Sequence, residues 1–295
     1  MIANFYLFKD SFQYKEGLTT DDLEEKIKKF SVDYEYIREY ENDNVFIQDS
    51  VYDAYIFPNI TVVDLMYDIK YKQKFDRDTL EFLRLIVEKS ADTDLSNEEI
   101  IDLLPTHSQE EIFGVLCFQE IENIEQKYLV YDKNDWLSFH RYFLALYPID
   151  NLFFISECEK YFPALCFHSN NKLSIKSILD DFSIEIIRHL SELNDKFKTI
   201  RSEDTHLPNA IIVFSSTCNI NVSLEGDASR RNDLTFDFET EDGKLEPVYC
   251  EPHTKINSHN NKGNTNYFQH RIYFHEGKNH IQKGNILIGH IGEHL

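Results

Sequence analysis

Two short segments near the end of the chain carry the residues best suited to chemistry. In Cys250-Glu-Pro-His-Thr-Lys-Ile256 the alternation of a β-strand puts Glu251, His253 and Lys255 on one face and Cys250, Thr254 and Ile256 on the other. The same parity in Arg271-Ile-Tyr-Phe-His275 groups Arg271, Tyr273 and His275 opposite Ile272 and Phe274. If these strands pair, their polar faces assemble a general base, a general acid and cations able to stabilise a phosphorane-like transition state. Metal-independent RNA cleavage needs those three functions. With His253 or His275 as the proton-transfer group, activity is expected to depend on pH near the ordinary histidine range. In Ile286-Leu-Ile-Gly-His290, His290 shares parity with Ile286 and Ile288, so it joins the array only if the strand twists or bulges at Gly289. The competing reading of this pattern is the solvated face of a half-buried antiparallel sheet.

Other chemistries find less support. His253, His275 and His290 with Glu251 could offer ligands to zinc, manganese or iron, but no H-E-x-x-H or H-x-H spacing is present, and no cofactor is implied. A carboxylate-rich nuclease core fails because Glu251 and Lys255 are four apart rather than two. No glycine loop of the phosphate-cradling kind occurs, which removes the ATPase reading. Ser215-Ser-Thr217 follows an apolar run without a nucleophile-elbow pattern, and the parity of Cys250 points it away from His253.

Glu251-Pro-His-Thr-Lys255, Arg271-Ile-Tyr-Phe-His275 and Asn285-Ile-Leu-Ile-Gly-His-Ile-Gly-Glu-His-Leu295 together resemble the C-terminus of bacterial proteins associated with phage-defence and toxin loci. The resemblance implies a defence or toxin setting and no particular activity. Lys, Arg, Tyr and His on a small sheet are also similar, in composition though not in order, to the residues of RelE-type ribonuclease toxins.

The elements that must position these residues lie in a chain of 295 residues with net charge -22. Residues 205–295 hold 8 basic against 11 acidic residues, so most of the acidity belongs to residues 1–204. After Pro247 the balance reverses, with 5 basic against 3 acidic residues and 7 of the 12 histidines. Global attraction for a polyanion is excluded, and any RNA contact must be local to this C-terminal segment. The acidity reads first as a solubility device, with a protein partner for the acidic N-terminal region as the alternative use.

Five widely spaced cysteines without a CxxC pair suit reduced thiols in the cytoplasm, and the apolar runs are too short to cross a membrane. Asn4–Phe8 reads as a strand and Leu23–Phe30 as a helix capped near Thr20, followed by β-like runs at 45–47, 55–57 and 60–63. Ser96-Asn-Glu-Glu99 and Ser108-Gln-Glu-Glu111 read as capping boxes, with strands at 114–118 and 128–131. Ser174 reads as the cap of a long helix whose apolar stripe runs from Ile175 to Phe197. Residues 198–208 read as a linker, and short strands follow at 210–214, 218–224, 234–239, 248–256, 270–275 and 285–291.

The expected fold class is therefore α+β: a mixed α/β acidic region over residues 1–200 and a small antiparallel β-rich domain over 207–295. The expected function is a defence- or toxin-type protein with a nuclease-like C-terminal site built from Glu251, His253, Lys255, Arg271, Tyr273 and His275. The alternative is a non-enzymatic interaction or regulatory protein acting through its acidic region.

Overall fold

Residues 1–256 and 270–295 are described by a computed structural model. His259 and Lys262, counted above among the C-terminal histidines and cations, lie outside the described residues. The chain is an α+β protein. It divides into compact units of residues 1–140 and 141–295.

In the first unit the elements run β1 (Ile2–Leu7), α1 (Thr20–Arg38), β2 (Asp43–Gln48), β3 (Tyr55–Phe57), β4 (Ile60–Thr61), α2 (Val62–Tyr67), α3 (Arg77–Lys89), β5 (Ala91–Thr93), α4 (Asn97–Leu103), β6 (Glu111–Leu116) and β7 (Leu129–Val130). The sequence boundary between the units falls within α5 (Lys133–Leu146). Strands β5-β2-β1-β6-β7 form one sheet, every neighbouring pair parallel. Such a sheet is covered on both faces, which is why Ala3 to Leu7 are buried without alternation. The chain steps outward from β1 through β2 to β5, then crosses to β6 and steps outward to β7. Connections therefore part company between β1 and β6.

Local chemistry fixes these elements. Thr19 and Asp22 form a reciprocal capping box at the start of α1, as Ser96 and Glu99 do for α4. Ser108 does not start a helix: its hydroxyl accepts from the Glu110 and Glu111 amides at the entrance to β6. In the sheet, Phe5 stands opposite Val45 on one side and Gly114 on the other. A methyl group on Gly114 would come within 2.8 Å of the Phe139 ring and 2.9 Å of the Phe5 ring.

The second unit contains α6 (Asn151–Tyr161), β8 (Leu165–Phe167), α7 (Asn171–Ser174), α8 (Leu179–Glu192), α9 (Lys198–Glu203), α10 (Leu207–Cys218), β9 (Val222–Ser223), β10 (Thr235–Glu239), β11 (Leu245–Tyr249), β12 (His253–Ile256), β13 (His270–His275) and β14 (Ile286–Glu293). Its sheet has the order β8-β14-β13-β12-β9. The last four strands are antiparallel as expected, but β8 adds to β14 in parallel. That pairing places residues ahead of 200 in the same sheet as the C-terminal strands, and the unit begins at Arg141 rather than near 207.

The segment expected as a linker is largely helical. Helix α8 continues through a π-turn at Leu193–Phe197 into α9, and Pro208 stands in the first turn of α10, where its missing N–H costs nothing. Ala210–Phe214, expected as a strand, lies in α10, whose buried residues Ala210, Ile211, Phe214 and Cys218 follow a helical period. The Ile175–Phe197 stripe is core as expected, although Ser174 ends α7 and a kink at Phe182 interrupts α8.

All five cysteines are free thiols, and among the described residues no helix is long and apolar enough to cross a membrane. Gly114→Ala is expected to lower stability by about 1–3 kcal/mol through overpacking, read from the denaturant midpoint at unchanged slope. An unchanged midpoint would show that Phe5 and Phe139 move aside freely.

Candidate active site

The pairing anticipated from parity is present. In register, His253 stands opposite Tyr273 and Lys255 opposite Arg271. On the other side of β12, His253 pairs with Ser223 of β9. Across β14, Tyr273 pairs with His290 while Phe274 pairs with Ile288, so Gly289 is an extra residue and the strand bulges there. The bulge brings His290 into line, and Ser223, His253, Tyr273 and His290 form one row across four strands. The ring centroids are 5.0 Å apart for His253 and Tyr273 and 6.1 Å for Tyr273 and His290.

This face is not solvated. Tyr273 and Leu287 pack in one apolar cluster with Leu234, Phe236, Phe238, Val248 and Cys250, so the β10–β11 hairpin covers the row. Gly289 permits the cover, because a methyl group there would lie 2.5 Å from the Phe236 ring and 2.9 Å from Cys250 Sγ. On the opposite face Phe274 meets Phe197, and His189 Nδ1 lies 2.8 Å from Thr254 Oγ1. His253 is 1% exposed, Tyr273 0% and His290 5%.

Burial decides the protonation states. His253 Nδ1 lies 3.3 Å from the Glu251 carbonyl oxygen, which can only accept, so Nδ1 carries the proton. Nε2 is then the acceptor for the Ser223 hydroxyl at 3.0 Å. Desolvation, assisted by the nearby Arg271 charge, pushes the His253 pKa down to about 4. Tyr273 is pushed up by desolvation and keeps its proton, while its oxygen accepts from Arg271 Nη1 at 3.2 Å. His290 Nε2–H donates to the Glu293 carbonyl at 3.0 Å, and its buried Nδ1 has no hydrogen-bond partner among the described residues.

A charged rim surrounds the row. The Glu225 carboxylate lies 3.3 Å from Arg271, 3.8 Å from Arg230 and 3.9 Å from His294. His294 Nε2 is much closer to Arg230 Nη1, at 2.6 Å, and accepts from it; burial, then the Arg271 and Arg230 charges, lower its pKa despite the carboxylate. Lys255 is lowered first by desolvation and then by Arg271, which places it within electrostatic reach of the same group. Arg230, Lys255 and Arg271 thus face one carboxylate, and the local balance is positive.

The side chains of Glu251 and His275, expected in the same array, open on a neighbouring cleft, although the Glu251 carboxyl stays within electrostatic reach of Glu225 and its backbone carbonyl orients His253. That cleft, of about 480 Å³, is also lined by Arg231, Tyr249, Glu276 and Lys278. His275 Nδ1 accepts from the Gly277 amide at 3.0 Å, and the Glu251 carboxyl is raised by burial and by Glu225. Residue parity missed Ser223, Glu225, Arg230 and His294; the alternation of Ser223 and Glu225 in Asn221-Val-Ser-Leu-Glu225 was the available signal. Among the described residues no group of three or more His, Cys, Asp and Glu side chains is gathered so as to hold a metal ion. No protein-family model, curated protein or solved structure matches the chain.

The buried histidines link stability to pH. His253 and His189 are both depressed to about 4, below the ordinary value of about 6.5 expected when unfolded. The unfolded chain binds the protons first, so their contribution is full above pH 6.5 and is lost as pH falls toward 4. The urea midpoint is expected to drop between pH 7 and pH 5 by the equivalent of about 1–2 kcal/mol per histidine, and His253→Gln should shrink the drop. A flat profile over that window would contradict the assignment.

Proposed function

We propose that the C-terminal sheet is a nuclease-like site that hydrolyses phosphodiester bonds, with RNA as the expected substrate, through a Ser223–His253 pair and without a metal ion. One observation carries this reading: a buried neutral histidine, its Nδ1–H held by a backbone carbonyl, aims Nε2 at a partly exposed serine hydroxyl beside Lys255 and Arg271. A nucleophile, a base and a group orienting the base form the recurring arrangement for covalent catalysis. The surrounding cations suit a phosphate rather than a carbonyl substrate. The resemblance of the last 45 residues to toxin-locus proteins agrees with such a role.

The chemistry balances with the residues present. Ser223 Oγ bonds to phosphorus as its proton passes to His253 Nε2, the bond to the leaving ribose oxygen breaks, and Nε2 gives that oxygen the proton. Arg271 and Lys255 hold the phosphate charge, and the enclosed Tyr273 positions Arg271 through its hydroxyl. Water then attacks the phosphoserine as Nε2 takes its proton, and Nε2 passes that proton to the departing Oγ. Because burial depresses His253, the acid limb of the rate profile is expected near pH 4 rather than near the ordinary histidine value.

The test is cleavage of end-labelled single-stranded RNA and DNA by the full chain, with and without chelator. Ser223→Ala and His253→Gln are expected to lose about 100-fold or more, and Arg271→Ala a comparable factor, with each variant folded by circular dichroism. Chelator should change nothing. If Ser223→Ala still cuts RNA but not DNA, the substrate 2′-hydroxyl is the nucleophile and the serine step is wrong. Absence of cleavage by the wild type on either substrate overturns the nuclease reading.

A further inference from the structure

The first unit has a cleft of about 810 Å³ whose lining includes Lys15, Lys26, Lys29, Asp33, Gln119 and Tyr131. Lys15 follows β1, Lys26, Lys29 and Asp33 lie on α1, and Gln119 and Tyr131 follow β6 and β7. The cleft therefore lies beyond the carboxyl ends of the parallel strands, where the connections from β1 and β6 part. In open parallel sheets this switch point is where the fold itself leaves a crevice for a ligand.

Charge makes the position more specific. Residues 1–140 hold 14 basic against 31 acidic residues, a net of -17, whereas the lining of this cleft is balanced, with Lys15, Lys26 and Lys29 against Asp33, Glu120 and Glu122. Lys15 Nζ donates to the Glu120 backbone carbonyl at 2.8 Å and Lys26 Nζ to the Gln119 amide oxygen at 3.4 Å. Both acceptors are neutral, so neither bond neutralises its ammonium charge. Lys26 is lowered by desolvation and then by the adjacent Lys15, a pull that the Glu120 and Asp22 carboxylates oppose, so the two ammonium groups stand close together. Asp33 Oδ1 accepts from the Lys133 amide, whereas its buried Oδ2 has no donor among the described residues. Phe30 and Phe118, packed edge to face at 5.6 Å, supply an apolar wall. The start of α1 takes no part, since the Thr19–Asp22 capping box already occupies it.

We propose that this cleft binds a nucleotide, with phosphates on Lys15 and Lys26, a ribose hydroxyl donating to Asp33, and the base against the Phe30 and Phe118 wall. The volume lies within the usual range of about 300–1,000 Å³ for small-molecule sites and exceeds what a lone phosphate would fill. The inference stands independently of the nuclease reading, because its residues lie in a different unit.

The experiment is calorimetric titration and thermal unfolding of the full chain with ATP, GTP, adenosine and pyrophosphate as separate probes. ATP or GTP is expected to bind with measurable heat and to raise the melting temperature. A Lys15→Ala/Lys26→Ala variant, with an unchanged melting temperature in the absence of ligand, should bind at least about tenfold more weakly. Asp33→Asn should weaken nucleotide binding and leave pyrophosphate binding unaltered. No binding of either nucleotide at millimolar concentration overturns the proposal, as does equal binding by the double lysine variant. Pyrophosphate binding as tight as that of ATP or GTP would overturn the nucleotide assignment by showing that only the anion is recognised.

Discussion

The packing of Phe236 against the glycine at position 289 is the constraint on which the second unit's chemistry depends. A side chain on that glycine would collide with the ring, and without the contact the β10–β11 hairpin could not close over the sheet. Closing it converts a polar strand face into a buried one. From that single step follow the neutral His253, the protonated Tyr273 and the need of each polar atom for a partner, because low-dielectric surroundings penalise charge and unpaired polarity alike. The same glycine is the extra residue of the β14 bulge, so one position both admits the cover and aligns His290 with the row.

The burial is graded. His253 and Tyr273 are enclosed, whereas Ser223, Lys255 and Arg271 keep partial contact with solvent. A hydroxyl at the edge of a dry, oriented imidazole is more useful than two enclosed groups, since a substrate reaches the first without displacing the second. Glu225 complements this arrangement by holding Arg230 and Arg271 toward the row while leaving the local charge positive. In a chain of net charge -22, such local excess is the only electrostatic route to an anionic substrate.

Much of this was legible in residue order, and the losses have physical causes. Period-two parity placed His253 with Tyr273 and Lys255 with Arg271 because antiparallel pairing preserves faces, and it stated the bulge at Gly289 as the condition for His290. Parity cannot tell what covers a face, so the row read equally well as solvated. It also grouped Glu251 and His275 with the others, although they lie at the strand ends, where a separate cleft opens. The rim residues Arg230 and His294 come from a 3-10 turn and the residues after β14, whose approach is tertiary, and of the strand expected at 218–224 only Val222–Ser223 forms because α10 runs to Cys218. The Ala210–Phe214 run misled because β-branched residues favour strands only where a sheet offers pairing, while Pro208 and the left-handed Asn219 bracket it as a helix. Strand β8 was invisible for the converse reason: three residues carry no periodic signal, and only β14 makes them a strand.

Catalysis through Ser223 requires His253 to be a buried, neutral imidazole with its proton on Nδ1 and the Nε2 electron pair directed at the serine hydroxyl. Nitrogen-15 NMR of the histidine side chains, with His253→Gln used for assignment, reads both properties at once. An Nδ1–H tautomer is expected to persist from pH 8 to below pH 5 and to protonate near pH 4. Titration near pH 6.5, or a proton found on Nε2 at neutral pH, would contradict it.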